Sequence, residues 1–354
     1  MKLIPSEEKI LSFHTPELLF TKGDAVIIKK EYFELAKIYH PDKNKDRDTN
    51  EVFKKLTELY TTALDYVSKG VWITPGLLEL KDKYKDTKYQ FKYKKHHEFE
   101  LGDMYINDNH VCYIIEEQYE DFFNNALRVI KGFEYKSDNM KKDISRYLPE
   151  IVQTFKSLDN KLGMVIKKTP DLLLLKDVIE YFQNNKFPDV WERHVAWIMS
   201  TLHNLTCYFQ YANLTHNAIS LETFFISPKF HSGALLGGWW YSVDAGKKMI
   251  GVPKNLFEMI PPKIKDEKVG NISFDLELIR LLARESFGDK TGIKLLGLKA
   301  APLPMINWIR LTSSGNAFDD YKTWSTKILS ESFGPRKFIN LELTSDDIYS
   351  KEGR

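Results

Sequence analysis

The sequence predicts an all-α helical hairpin at its N-terminal end, followed by an α+β domain of two lobes. Three observations carry this. From Asp24 to Ser68, apolar residues recur at helical spacing on both sides of the polar loop HPDKNKDRDTN. From Phe99, β-branched and aromatic residues dominate two runs joined by the turn-prone Asn107 to Asn109, as in a pair of strands. From Val190 onward, long helical patterns take over. A chain of 354 residues, 43% of them hydrophobic, can bury one large core and a second smaller one.

Taken in order, the first helix carries the stripe Ile28, Tyr32, Leu35, Ala36 and Tyr39, and the second carries Val52, Phe53, Leu56, Leu59, Tyr60, Ala63 and Val67. Pro41 cannot continue a helix, and Asp42, Asn44, Asp48 and Asn50 favour turns and helix starts. A break follows at Gly70 to Gly76. The stretch Asp82 to His97 is dense in Lys, Tyr and Asp without a clean period, and residues 71–94 are expected to be a linker between a domain at 1–70 and one at 95–350. Within the latter, a small lobe at 95–178 has strands in FELGDMYINDNHVCYIIEE, helices over Asp121 to Ile130 and Met140 to Lys156, and short strands at MVIKK and LLLLK. A helical lobe at 179–350 contains ERHVAWIMSTLHNLTCYFQYA and FDLELIRLLARESFG, with Pro and Gly clustered between Gly251 and Pro262.

Composition narrows the functions. Lys plus Arg at 51 against Asp plus Glu at 49 leaves a net charge of +2, which argues against a nucleic-acid partner. Cys112 and Cys207 stand far apart without ligand-spaced histidines, so neither a metal site nor a disulfide framework is expected. No apolar run is long enough to span a bilayer, and the start MKLIPSEEKILSF has acids and a proline where a signal peptide needs an apolar stretch. The expected setting is therefore cytoplasmic. A bias to Lys, Asn and Ile, with abundant Tyr and Phe, is consistent with an AT-rich genome and a viral or phage origin, in which case the setting is the host cytoplasm.

His40, Pro41 and Asp42 close the first helix, and YFELAKIYHPDKN with FKKLTELYTTAL after it resembles the J-domain, in which an invariant His-Pro-Asp tripeptide links a basic second helix to a third. The resemblance covers roughly residues 15 to 70. It implies that His40, Pro41 and Asp42 engage a DnaK-type chaperone and promote its ATP hydrolysis, the J-domain itself catalysing nothing. Lys29, Lys30, Lys37 and Lys43, with Asn44, complete the expected chaperone-binding set, since lysines on that helix suit an acidic surface. As a plain interhelical turn, the same loop would leave His40 capping a helix end and the lysines as solvated surface. The first J-domain helix is poorly matched by TPELLFTKGDA. Neither a Gly/Phe-rich stretch nor a cysteine-rich zinc module is present, so choice of a client protein falls to residues 91–354.

The order of a strand-bearing lobe and a helical lobe resembles the protein kinases. LTHNAISLETFFIS resembles their catalytic loop with its histidine at His216, ALLGGWW lies where the metal-binding triplet would, and Asp275 resembles the aspartate opening the long central helix of the large lobe. The chemistry is missing: Ala218 stands for the catalytic aspartate, Thr223 for the asparagine and Gly237 for the metal-binding aspartate. Lys131 and Glu150 are candidates for the phosphate-pairing lysine and its glutamate in that resemblance, but both lie in stretches that read as exposed helix. No cofactor, metal or catalytic residue is expected, and the domain reads as a pseudokinase-like binding module. In an unrelated α+β domain, His216 would instead be an ordinary buried histidine and Trp239 with Trp240 core filling.

Other patterns are weaker. His96, His97 and Glu98 alternate faces on a strand and cannot chelate together. Lys92, Lys94 and Lys95 interleave with Tyr89, Phe91 and Tyr93 as in single-strand binders, but a lysine-solubilised linker accounts for them better. The expected function is a J-domain co-chaperone that brings a DnaK-type chaperone to a target. The rivals are a divergent kinase or nucleotide-binding enzyme using displaced carboxylates such as Asp244, and an assembly protein that keeps the J-like helices as packing.

Overall fold

A computed structural model describes residues 4–13, 15–44, 47–69, 72–74 and 76–349. It opens with α1 (Glu7–Ser12), α2 (Ala25–Tyr39) and α3 (Asn50–Lys69). Both predicted stripes face inward: Ile28, Leu35, Ala36 and Tyr39 meet Val52, Leu56, Leu59 and Ala63 in one small core, with Ile10 of α1 and Phe20 added to it. The first helix therefore lies upstream of TPELLFTKGDA, where Pro16–Leu18 make only a single 3-10 turn. Asp24 caps α2, its Oδ1 accepting from the amides of Val26 at 2.9 Å and Ile27 at 3.0 Å. Trp72 also belongs to this core and lies against Gly23, so the packed unit runs past residue 70.

Strands begin earlier than the sequence suggested. After β1 (Ile73–Thr74), β2 (Leu77–Lys81) and β3 (Lys88–Lys92) form an antiparallel hairpin within the supposed linker. Then come β4 (Lys95–Phe99), β5 (Gly102–Ile106) and β6 (His110–Ile115), the helices α4 (Glu120–Lys131) and α5 (Asp138–Ile144), and β7 (Ile151–Lys156) with β8 (Leu162–Lys167). Strands β4 to β8 make one antiparallel sheet in the order β4-β5-β6-β8-β7. The predicted helix over Met140 to Lys156 is thus corrected: it ends near Tyr147, and IVQTFK, rich in β-branched residues, pairs with β8.

The linker reading fails for a physical reason. Leu78 and Leu80 point inward from β2, and with Phe91 and Tyr93 they cover Tyr105, Cys112 and Ile114 on the outer face of the five-stranded sheet. Asp82 turns the hairpin, its Oδ1 accepting from the amides of Tyr84 at 2.7 Å and Lys85 at 2.8 Å. The opposite face, including Met104, Val111, Tyr113 and Met164, joins the large core. Gly102 opens β5 at φ +153, where any Cβ would collide with the Ile114 carbonyl, so this glycine serves close strand approach.

The rest is mainly helical. β9 (Leu173–Leu174) leads into α6 (Leu175–Asn185), so LLLLK is half strand and half helix. α7 (Trp191–Tyr211) and, after α8 (Pro262–Glu267), α9 (Ile272–Ser286) pack together at the centre. Between α7 and α8 run β10 (Leu214–Thr215), β11 (Phe224–Ser227), β12 (Ser232–Leu235) and β13 (Val243–Asp244). α10 (Leu295–Leu298), α11 (Leu303–Arg310), α12 (Ala317–Thr323) and α13 (Leu329–Phe333) complete the bundle. The last helix, α14 (Ser345–Tyr349), returns to the strand-bearing region: Tyr349 Oη accepts from the Leu174 amide at 3.0 Å and Ser345 Oγ bonds Asp108 at 2.9 Å. No helix among the described residues is long and apolar enough to cross a membrane.

Candidate functional site

Two places gather the residues singled out above. The first is the turn after α2. His40 ends α2 in extended conformation and Pro41–Lys43 form one 3-10 turn, since proline fits the first position of a turn but not the interior of the helix before it. His40 Nδ1 accepts from the Asp42 amide at 3.2 Å, which leaves Nε2 as the ring nitrogen not engaged in the turn. The imidazole also meets the Phe53 ring edge-on, centroids 5.0 Å apart, so α3 buttresses it. Asn44 locks the turn from behind, its Nδ2 donating to the carbonyls of Ile38 at 2.8 Å and His40 at 3.0 Å.

What this geometry offers is a rigid donor and acceptor pair facing outward. The Asp42 side chain is 89% exposed and that of His40 42%. Lys29, Lys30, Lys37 and Lys43 are exposed as well, and among the described residues none of them is paired with a carboxylate. Sequence reasoning named all these residues. It missed Phe53 as the support of the imidazole and Asp24 as the cap of the basic helix. The Asp before an apolar run was a signal for the latter.

The second place is a cleft of ≈ 420 Å³ between the sheet and the helical part, lined among others by His97, Phe99, Tyr113, Ala218, Thr223, Gly237 and Trp240. Asp275, the fourth residue of α9, is fully buried, and its carboxylate accepts from the amides of His216 at 2.8 Å and Asn217 at 2.7 Å. Burial pushes this carboxyl up to about 7, against the two amide bonds that favour its anion. The His216 ring, buried and held down to about 3 by desolvation, contacts the Gly237 carbonyl through Nε2 at 3.0 Å. Thr223 donates to the Ala218 carbonyl at 2.8 Å. Thus the structure brings His216, Ala218, Thr223, Gly237 and Asp275 together, with Asp275 reaching from α9 to clamp the loop that the others tie.

The cleft wall has no room for the carboxylate that Gly237 would have to supply. A Cβ there would stand 2.7 Å from Tyr113 Oη and 3.3 Å from Thr223 Cα. Phe99 stacks on Trp240 at 5.1 Å, and Tyr113 meets Trp240 edge-on at 5.0 Å, so the inner end of the cleft is aromatic. Its charged rim is largely self-paired, with Lys176 on Glu222 at 2.8 Å and Lys254 near Glu100 at 3.7 Å. Asp244 lies elsewhere, exposed and 3.9 Å from Arg128. Lys131 ends α4 on the surface, and Glu150 precedes β7 and pairs with Lys167 at 3.3 Å; Glu150 does not lie in a helix.

The remaining patterns resolve into packing. His96 bonds Asp103 at 2.7 Å and His97 bonds Asp177 Oδ2 at 3.2 Å, on opposite faces of β4. Tyr89 stacks on Phe155 at 4.1 Å, Phe91 and Tyr93 join the outer sheet core, and Lys94 pairs with Asp108 at 2.8 Å, which takes these aromatic faces out of reach of bases. No cluster of metal-ligating side chains occurs among the described residues.

The family comparison falls on the first place. The family profile described as DnaJ domain matches residues 21–69. The C. elegans protein "DnaJ homolog dnj-10" is 48% identical over 44 residues, covering 12% of this chain and 10% of its own length. "Chaperone protein DnaJ" of Mycoplasmoides gallisepticum is 43% identical over 49 residues, 14% of this chain and 12% of its own length. The chain therefore spans about a tenth of the length of these curated relatives. With the tripeptide turn, its buttressing helix and its basic neighbour in place, residues 21–69 are a DnaJ domain.

Proposed function

We propose that the chain is a co-chaperone: its DnaJ domain docks on a DnaK-type chaperone and promotes ATP hydrolysis there, while residues 95–350 hold a protein target near that chaperone. The observation that carries this reading is the outward-facing His40–Asp42 turn, clamped by Asn44 and flanked by four lysines that pair with no carboxylate among the described residues. A partner with an acidic groove meets the lysines first, which speeds encounter, and the rigid turn then presents imidazole and carboxylate without further ordering cost. Single-turnover ATP hydrolysis by a DnaK-type partner tests it. The native chain is expected to accelerate the step and His40→Gln to leave it at the basal rate; equal rates would refute the role.

The second part of the proposal is that the mixed domain is a kinase-like fold kept for binding rather than chemistry. Its support is the buried clamp of Asp275 on the His216–Asn217 backbone, together with Ala218, Thr223 and Gly237 at positions where phosphoryl transfer needs carboxylate and amide groups. A nucleotide-binding reading is favoured by one observation, the size of the cleft. Thermal melting with ATP and magnesium separates the two. A bound nucleotide at a hundred times its Kd adds roughly 2.7 kcal/mol and raises Tm. The binding-module reading expects no change, and a rise would favour the enzyme.

A further inference from the structure

We propose that residues 290–311 form a docking surface for an anionic lipid bilayer, on which the mixed domain lies without crossing it. This surface is remote in chemistry from both places described above and does not depend on the co-chaperone reading. Within it, Ile293, Leu296, Leu298, Leu303 and Leu311 are all between 43% and 72% exposed. They are not the face on which the segment packs. Leu295, Met305, Ile306 and Ile309 already fill that role at 2% exposure or less. The outward aliphatic side chains are therefore surplus to folding, and their clustering in one short segment exceeds the scattered apolar exposure of an ordinary surface.

The segment's own charges have one sign. Lys290, Lys294, Lys299 and Arg310 are exposed, and no Asp or Glu occurs from 290 to 311, although the whole chain is almost neutral. Lys290 has Glu285 at 4.0 Å, whereas among the described residues Lys294, Lys299 and Arg310 pair with no carboxylate. The two ends of the segment are tied together. A Cβ on Gly292 would lie 3.2 Å from Arg310 Cγ, and the buried Arg284 guanidinium beneath donates to the carbonyls of Lys290 at 3.0 Å and Ile309 at 2.6 Å. This staple holds the loop before α10 against the end of α11.

Charge complementarity chooses the occupant. A second copy docking face to face by a two-fold axis would set these cations against each other. The cleft of the mixed domain uses none of these residues, and the exposed side chains are aliphatic, whereas protein hot spots draw on Trp and Tyr. Aliphatic side chains that enter the headgroup boundary while lysines and arginine meet anionic headgroups match an interfacial surface.

The test is flotation of the full chain with vesicles of phosphatidylcholine alone and of phosphatidylcholine mixed with phosphatidylglycerol. Binding is expected only to the mixed vesicles, and weakening in ~0.5 M salt. Leu298→Ser with Leu303→Ser should abolish it. Lys294→Gln and Lys299→Gln should each weaken it roughly five-fold. These positions are exposed, so melting temperatures should match the parent, and His40→Gln should bind as the native chain does. Failure to float, equal binding to both vesicles, or binding unchanged in the variants would overturn the proposal. Self-association that the leucine variants abolish, without vesicle binding, would overturn it as well and assign the patch to a second copy.

Discussion

In both regions a histidine, a turn and an aspartate sit next to one another, and they are used in opposite ways. In the DnaJ domain the His40–Asp42 turn projects from a small helical core, with side chains still able to meet another molecule. In the mixed domain His216, Asn217 and Asp275 are all fully buried, and their hydrogen bonds end on one another, on backbone or on the Thr215 hydroxyl. Exposure decides the difference. A polar group at the surface keeps its bonding capacity for a partner, whereas one in the core must satisfy it internally or destabilise the fold. Residue identity alone would have ranked the two loops alike.

The contrast can be broken by substitutions that strike one region only. The largest effect on stability is expected from Asp320→Ala, because Arg280, 2.8 Å from Asp320 with both side chains almost fully buried, would keep an unpaired charge. Loss of such a partner costs about 3–5 kcal/mol, read as a lower urea midpoint for the mixed domain. Stimulation of a DnaK-type ATPase should survive at temperatures where the DnaJ domain stays folded. If it fell in parallel, the regions would not be independent. Asp275→Ala orphans the amides of His216 and Asn217 and should cost about 2–4 kcal/mol by the same measurement.

Acidification gives a third, intermediate effect. Burial holds His194 down to about 4, and His203 and His216 down to about 3. An unfolded histidine takes up its proton near pH 6.5, so from there downward the unfolded chain binds protons that the folded domain refuses, and stability falls. Asp275, raised to about 7, opposes this with one proton over roughly the same window. Three imidazoles outweigh one carboxyl, and Tm of the mixed domain should drop on the order of 5 °C between pH 7 and pH 5. A rise would show that the carboxyl dominates. The smallest effect should come from Asp24→Ala, which removes the cap of α2 and costs the DnaJ domain about 1 kcal/mol by chemical denaturation.

How much of this was legible in the sequence varies with the range of the interactions. The two helices of the hairpin could be read because their periodicity, proline turn and caps lie within a few residues of one another, and the expected inward residues are the buried ones. The same holds for β5 and β6 with their asparagine turn, whose Asn107 Oδ1 accepts from the amides of Asn109 at 2.9 Å and His110 at 2.8 Å. The hairpin of β2 and β3 was hidden by its composition. Its lysines, with Tyr and Asp between the strands, gave it the look of a linker, although Leu78, Leu80 and Phe91 keep the period of two that a half-buried strand needs. Glu150 was misassigned because a helical pattern that ends at Tyr147 ran into a strand without an intervening glycine.

By itself, the sequence determined the DnaJ hairpin and the identity of its projecting tripeptide, since local periodicity, a proline and nearby turn residues leave that segment few alternatives. Tertiary structure alone decided that β2 and β3 cover the sheet, that Tyr349 returns to bond Leu174, and that Asp275 clamps the loop of His216 from 58 residues and more away. The physical reason is range. Propensity and periodicity act between near neighbours, while burial of one surface by another depends on which distant segments the folded chain brings together.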